Sequence, residues 1–213
     1  MLILAADTSL PILSVALLDG PLLLGAVALE GRSSRNEKLL PAIDWLLTEC
    51  SIDRHRIELF ATTRGPGSFT GVRIGLATMQ GLALSLGRPL CAMSTHEAIA
   101  LGEGDRDHSH PLERILVYDD AGRGEIYLSL FEGHRLTIAP RLTTTGEQET
   151  LAAEAALAIS VPEFAQHANV AAGCARRALE IAAHADLAAY ADVTPIYVRL
   201  AEAEVKLQQK QNA

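Results

Sequence analysis

Residues 2–20, LILAADTSLPILSVALLDG, and residues 115–133, ILVYDDAGRGEIYLSLFEG, carry one pattern written twice. Laid over each other without a gap, at an offset of 113 residues (120 − 7), Asp120 falls on Asp7, Ile126 on Leu13 and Leu128 on Val15. Leu130 then falls on Leu17, Glu132 on Asp19 and Gly133 on Gly20. Each copy opens with a short apolar run, as a buried strand does, breaks at an aspartate turn, and resumes as a second strand closed by an acid–glycine pair. Outward from the first copy, residues 22–29 add a third strand, making an antiparallel meander. A helix follows with Leu39, Leu40, Ile43, Leu46 and Leu47 on one face. Ser34 and Glu37 have capping-box spacing before it, and Pro41 predicts a kink or a late start. Next come a strand at 57–63, a second helix, a strand at 90–93 and a short helix at 95–101. Outward from the second copy, the pattern predicts a strand at 136–140, a helix around 147–159, a strand at 169–172 and a helix at 174–183. A late strand at 194–199 and a terminal helix at 200–209 close the chain. The expected fold is α/β, a duplicated βββαβα unit in two lobes. Residues 1–103 form the first lobe and 112–199 a smaller second one, with the helix near 200–210 packing back on the first. The polar stretch 102–111 is the linker.

The composition narrows the function. A formal net charge of −8 makes the chain a poor candidate for gripping nucleic acid alone, because phosphate binding needs clustered Lys and Arg. The three cysteines, Cys50, Cys91 and Cys174, are far apart and odd in number, so they read as reduced thiols in a cytoplasmic protein. The apolar start has no basic flank and meets Asp7 at once, which reads as a strand and not a signal peptide. No apolar run is long enough for a membrane span.

The stretch 64–87, RGPGSFTGVRIGLATMQGLALSLG, joins a glycine-rich turn to the second helix. Three glycines and Pro66 shape the turn. Ser68 or Thr70 can cap the helix, and the Gly87-Arg88-Pro89 run stops it. Val72, Leu76, Met79, Ala83 and Leu86 form its apolar stripe. Ala77, Gly81 and Ser85 form a second stripe of small residues, which suits close approach of another helix or seating on the chain's own sheet.

A duplicated unit with an aspartate in each first turn suggests a nucleotide cleft. Asp7, Thr8 and Ser9 would supply a carboxylate for metal-bound water and hydroxyls for phosphate, with Asp120 and Arg123 opposite. Turn formation alone also accounts for both aspartates. On the purine side only Gly173, beside Cys174, offers a bare backbone. Gly65-Pro66-Gly67-Ser68 resembles a phosphate-cradling loop but lacks the P-loop lysine. Ser68 lacks a histidine partner and the nucleophile-elbow pattern. His108 and His110 are too few for a metal site, and His55, His96 and His184 form no ligand pair.

The chain resembles the TsaB (YeaZ) family of bacterial tRNA threonylcarbamoyladenosine synthesis. The resemblance runs through LILAADTS at 2–9, Leu39-Leu40-Pro41 and RGPGSFTGVRIG at 64–75. It continues through Gln80-Gly81-Leu82-Ala83, residues 120–127 and Pro195-Ile196-Tyr197-Val198-Arg199. It implies an actin-like fold of the acetate-and-sugar-kinase/Hsp70 superfamily, and a cytoplasmic, non-catalytic scaffold with no catalytic and no metal-binding residues. The implied partners are a TsaD-type catalytic paralogue, a TsaE-type ATPase in a ternary assembly and, in isolation, a second copy of the chain. It implies contact with tRNA only indirectly and none with membrane. The family's pairing surface implies roles for Leu39, Leu40, Ile43 and Leu47 on the first helix and Gly71, Gly75, Thr78, Gly81 and Ser85 on the second. Asp7, Thr8, Ser9, Asp120, Arg123 and Gly173 would be a vestigial nucleotide site, with no cofactor beyond weak residual ATP or ADP. Two departures from the family favour a scaffold: Arg35 stands where relatives often carry His, and the segment between Ala183 and Thr194 is short. The alternatives are an ATP-dependent small-molecule kinase or ATPase of the same superfamily, and a metallopeptidase.

Overall fold

The computed structural model describes residues 1–30, 35–101, 114–122, 124–133, 135–184 and 187–198. The meander is present as β1 (Leu2–Asp7), β2 (Ile12–Asp19) and β3 (Leu22–Glu30). Next come α1 (Arg35–Glu49), β4 (Leu59–Thr63), α2 (Phe69–Leu86), β5 (Leu90–Met93) and α3 (Thr95–Leu101). A 3₁₀ turn at Arg54–Arg56 leads into β4. The second unit holds β6 (Arg114–Gly122), β7 (Glu125–Glu132), β8 (Arg135–Thr144), α4 (Thr145–Glu154), β9 (Leu157–Ser160), α5 (Val161–His167) and α6 (Val170–His184). A 3₁₀ turn at Leu187–Tyr190 ends the regular structure. The linker at 102–111, Ser34 of the capping box and the terminal helix at 200–209 lie outside the described residues. No helix among those described is long and apolar enough to cross a membrane.

The duplication is visible in the sheets. The first has the order β3-β2-β1-β4-β5 and the second β8-β7-β6-β9, the same order less its last strand. In both, the meander is antiparallel and the fourth strand joins the first in parallel. This is the α/β, actin-like duplication expected.

Three expected elements differ. The segment 147–159 is α4 followed by a strand: α4 ends at Glu154, and Leu157-Ala158-Ile159-Ser160 pairs with β6. The expected strand at 169–172 is the start of α6, capped by the Asn169 side chain, which accepts from Ala172 N at 2.9 Å. A short apolar run such as Val170-Ala171-Ala172 fits a buried strand or a buried helix equally, and here an N-cap residue decided it. Residues 194–198 form no ladder, although Ile196 N donates to Arg64 O at 2.7 Å. Pro41 lies inside α1, which starts at Arg35 and so does not start late.

Alternation along β1 sets the layers. Leu2, Leu4 and Ala6 face α1 and α2, where they meet Leu39, Ile43, Leu46 and Met79. Ile3 and Ala5 face the other way, into a core shared with Cys174, Ala175 and Ala178 of α6 and with Ile115, Val117 and Phe131 of the second sheet. Leu116, Leu128 and Leu130 face outward beneath Leu151 and Ala152 of α4. Thus α6, which the sequence assigns to the second lobe, packs on the first sheet, and one core runs through both units.

His96 of α3 helps tie the units: its Nδ1 lies 2.8 Å from Ser129 Oγ of β7, with both residues buried. Burial pushes the imidazole down from 6.5 to about 3. It is therefore neutral in the fold, whereas the unfolded chain takes up the proton below pH 6.5. The stability this represents is fully present above pH 6.5 and is lost as pH falls toward about 3. Buried Asp7, raised above its ordinary 3.8, works in the opposite sense and partly offsets the loss. Urea unfolding at pH 5 compared with pH 7.5 should show stability falling by up to ~2 kcal/mol. His96→Asn should flatten that dependence; an unchanged slope in the variant would locate the titrating group elsewhere.

Candidate functional site

The glycine-rich turn is folded onto the β1–β2 turn. Ser68 N donates to Ser9 O at 2.7 Å, and Thr95 N donates to Gly65 O at 2.8 Å. Gly67 has a φ of +151°, and a Cβ there would lie 2.5 Å from Ser9 O. Thr8 Oγ1 donates to Gly71 O at 2.6 Å. It also fills the space at Gly75, where a Cβ would approach it to 2.4 Å. Ser68 caps α2, its hydroxyl accepting from Gly71 N at 3.2 Å, and Gly87 closes the helix in the left-handed conformation.

Asp7 sits beneath this contact with no exposure. Its Oδ1 accepts from Ser9 N at 3.1 Å, from Ser9 Oγ at 2.5 Å and from the Thr63 hydroxyl. Ser9 Oγ also lies 2.9 Å from Thr95 Oγ1. Among the described residues Oδ2 has no partner. Burial raises the carboxyl above the usual range against the lowering effect of those hydrogen bonds. The groups assigned to a nucleotide are therefore engaged inside the lobe: the Thr8 and Ser9 hydroxyls and the Ser68 amide, which would meet phosphate, and one oxygen of Asp7, which would meet metal-bound water. They do not fit a nucleotide in this arrangement. Gly173 is likewise no bare turn but a buried residue within α6. Among the described residues no group of three or more His, Cys, Asp or Glu could hold a metal ion.

The opposite hairpin corrects the gapless alignment. Ile3 and Ile115 occupy matching places, since Ile3 pairs with Leu18 and Leu59, and Ile115 with Phe131 and Leu157. Four residues along each strand come Asp7 and Asp119. A register shift between Asp120 and Gly122 absorbs one extra residue in the second hairpin. Asp119, not Asp120, is thus the counterpart of Asp7. Ile115, Leu116 and Val117 are all apolar and buried, so the sequence carried no signal for this shift of one residue. Asp119 is half-buried, and burial raises its carboxyl above the ordinary range. Exposed Asp120 accepts from Gly122 N at 2.7 Å, the turn-forming role. Arg123 lies outside the described residues.

The nine residues assigned to pairing divide. Leu39 and Ile43 point into the lobe's own core, and Gly71 and Gly75 are buried under the β1–β2 turn. Leu40 is 50% exposed, Gly81 and Ser85 are exposed, and Leu47 and Thr78 are half-buried. Nothing lies within 4 Å of a Cβ at Gly81. The sequence pattern missed Leu84, 74% exposed on α2, and Trp45, 55% exposed on α1. Between the helices runs a groove of about 520 Å³, floored by Ile43, Leu47, Leu82 and Leu86, with Leu40 and Ser85 on its walls.

A family model described as TsaD: tRNA N6-adenosine threonylcarbamoyltransferase matches residues 32–181. The chain belongs to this family. It is 33% identical over 132 residues to the tRNA threonylcarbamoyladenosine biosynthesis protein TsaB of Bacillus subtilis, covering 62% of this chain and 56% of that one. Its identity to the TsaB of Escherichia coli is 36% over 132 residues, 62% of this chain and 55% of the relative. It is also 31% identical over 99 residues to the tRNA N6-adenosine threonylcarbamoyltransferase of Erythrobacter litoralis, 46% of this chain and 28% of that one. The matches span about half the length of these TsaB relatives. In structure it is similar to YeaZ from Pseudomonas aeruginosa, with a TM-score of 0.70 and 24% identity over 92% of this chain and 99% of that one. The TsaB and YeaZ resemblance carried by the glycine-rich stretch is thereby borne out.

Gly75→Ala should destabilise the fold by ~1–3 kcal/mol, because the new methyl displaces the Thr8 hydroxyl and its bond to Gly71 O. Gly81→Ala, with open space above it, should stabilise by ~0.5–1 kcal/mol through helix propensity alone. Parallel urea denaturation of the two variants checks the contrast; equal effects would mean that the Thr8 contact is slack.

Proposed function

We propose that the chain is a non-catalytic subunit in tRNA threonylcarbamoyladenosine synthesis in the cytoplasm, holding a TsaD-type catalytic paralogue against the exposed α1–α2 face. The observation that carries this reading is the division of those two helices. Their inner faces fill the lobe's core, while Leu40 stands 50% exposed on the wall of the groove between them and Leu84 stands 74% exposed on α2, on the side of the Ala77, Gly81 and Ser85 stripe. Exposed apolar side chains flanking a groove mark a binding surface. The Ala77, Gly81 and Ser85 stripe lets a partner helix approach closely. A TsaE-type ATPase would join the assembled pair, and a second copy of the chain would take the same face when the paralogue is missing. The role needs no cofactor of this chain, and tRNA is brought in chiefly by the partner. The engagement of Asp7, Thr8 and Ser9 inside the lobe speaks against a working kinase or ATPase cleft.

The test is assembly with the paralogue, measured by gel filtration and titration calorimetry. Gly81→Leu should weaken association at least ~10-fold by overpacking the helix pair, while the monomer keeps its melting temperature. Unchanged affinity would move the interface off α2. A second prediction concerns the cleft. In the tRNA modification assay with the paralogue, omission of the chain should abolish turnover, whereas Asp7→Asn, which keeps an oxygen for Ser9 and Thr63, should retain it. Lost turnover with the complex intact would make the cleft a working site.

A further inference from the structure

Phe69, Arg73 and Tyr197 form a surface cluster that neither the core nor the pairing face employs. Phe69 opens α2 and Arg73 lies one turn further on. Tyr197 arrives from the segment 192–198, which crosses the glycine-rich turn through the Ile196–Arg64 bond and the ion pair of Arg64 with Asp192 at 3.0 Å. The guanidinium carbon of Arg73 stands 3.8 Å from the Phe69 ring centre and 5.6 Å from that of Tyr197. Its Nε donates to Tyr197 Oη at 2.7 Å. The ring centres are 5.0 Å apart and tilted by 31°. The guanidinium is therefore held in a fixed plane, yet among the described residues no carboxylate pairs with it, and only its Nε is engaged.

Phe69 and Tyr197 remain 45% and 42% exposed. In a chain with only 4% aromatic residues, adjoining half-exposed rings with a fixed cation beside them are not accounted for by folding alone. We propose that this cluster docks single-stranded RNA, a base stacking on the open ring faces and its phosphate meeting the free Nη groups of Arg73. An acidic peptide would engage Arg73 but leave the rings in water. An apolar side chain would cover the rings but strand the cation. A nucleotide of RNA brings a π face and an anion together, and stacking of this kind contributes ~1–3 kcal/mol per base. Guanidinium held flat by aromatic rings loses little freedom on meeting phosphate. With a net charge of −8, long-range attraction is weak, so the contact is local and adds to the binding made by the partner. The proposal rests on the preceding reading only in taking that RNA to be the tRNA under modification.

The full chain, alone and mixed with the paralogue, would be titrated with a fluorescein-labelled anticodon stem-loop RNA at several salt concentrations. Phe69→Ala and Arg73→Gln should each weaken binding ~5-fold or more, with Arg73→Lys intermediate. Arg73→Gln should also reduce the slope of log K against log salt by about one, which loss of packing alone would not do. Unchanged affinity and slope in all three variants would overturn the proposal. So would absence of binding by the wild type in both settings, or competition by free AMP at concentrations matching the RNA. Complex formation is read separately by gel filtration. A wild-type pair that fails to assemble therefore counts against the pairing role, while the chain alone still decides the RNA contact.

Discussion

Everything in the first unit depends on one close approach, the seating of the glycine-rich turn on the β1–β2 turn. Thr8 reaches under α2 to Gly71 and occupies the hollow at Gly75, while Ser9 O takes the amide of Ser68. A side chain at Gly67 or Gly75 would occupy space already filled by Ser9 or Thr8. Beneath the contact, Asp7 gathers hydroxyls from Ser9 and Thr63, and through Ser9 it is linked to Thr95 at the head of α3. The ends of β1, β4 and β5 are thereby pinned to one buried polar knot. Three hydrogen bonds to a single carboxylate oxygen offset part of its desolvation, and burial still prevails.

That knot explains how a motif with the look of a phosphate loop can serve structure. A phosphate loop offers its amides outward, whereas here the Ser68 amide and the Thr8 hydroxyl are turned inward. The interior contact fixes the azimuth of α2, and with it which residues of that helix meet water. Val72, Leu76 and Met79 fall on the sheet, leaving Ala77, Gly81, Leu84 and Ser85 outside. The internal knot and the external face are two sides of one helix orientation.

Much of this was legible in the sequence. The repeat of residues 2–20 at 115–133 gave both meanders, and the 3.6-residue period gave α1 and α2 with the correct inward stripe on α2. The failures have physical causes. The Val170-Ala171-Ala172 run is apolar on all sides because the start of α6 is fully buried against the first sheet and α3, so periodicity carried no information there and the Asn169 cap was the deciding signal. The Leu157–Ser160 strand is short and follows a helix without a glycine, so no stop was visible. The inserted hairpin residue left the β7 alignment correct and moved β6 by one, which drew attention to Asp120 in place of Asp119. On α1, an apolar period cannot separate residues that meet their own sheet from those left to water, so Leu39 and Leu40 looked alike.

The position of α6 also bears on how the chain is made. Ile3, Ala5, Ala16 and Leu18 lie on one face of the first sheet, and the helix that covers them begins only at Val170. A nascent chain that has completed β1 through β5 thus carries a naked apolar sheet until the second unit has been synthesised and α6 can swing back. Contacts this distant along the sequence close late and leave strand surface open to wrong partners meanwhile. On the ribosome, the first unit is not a finished body awaiting a second, and the two halves of the repeat must mature together.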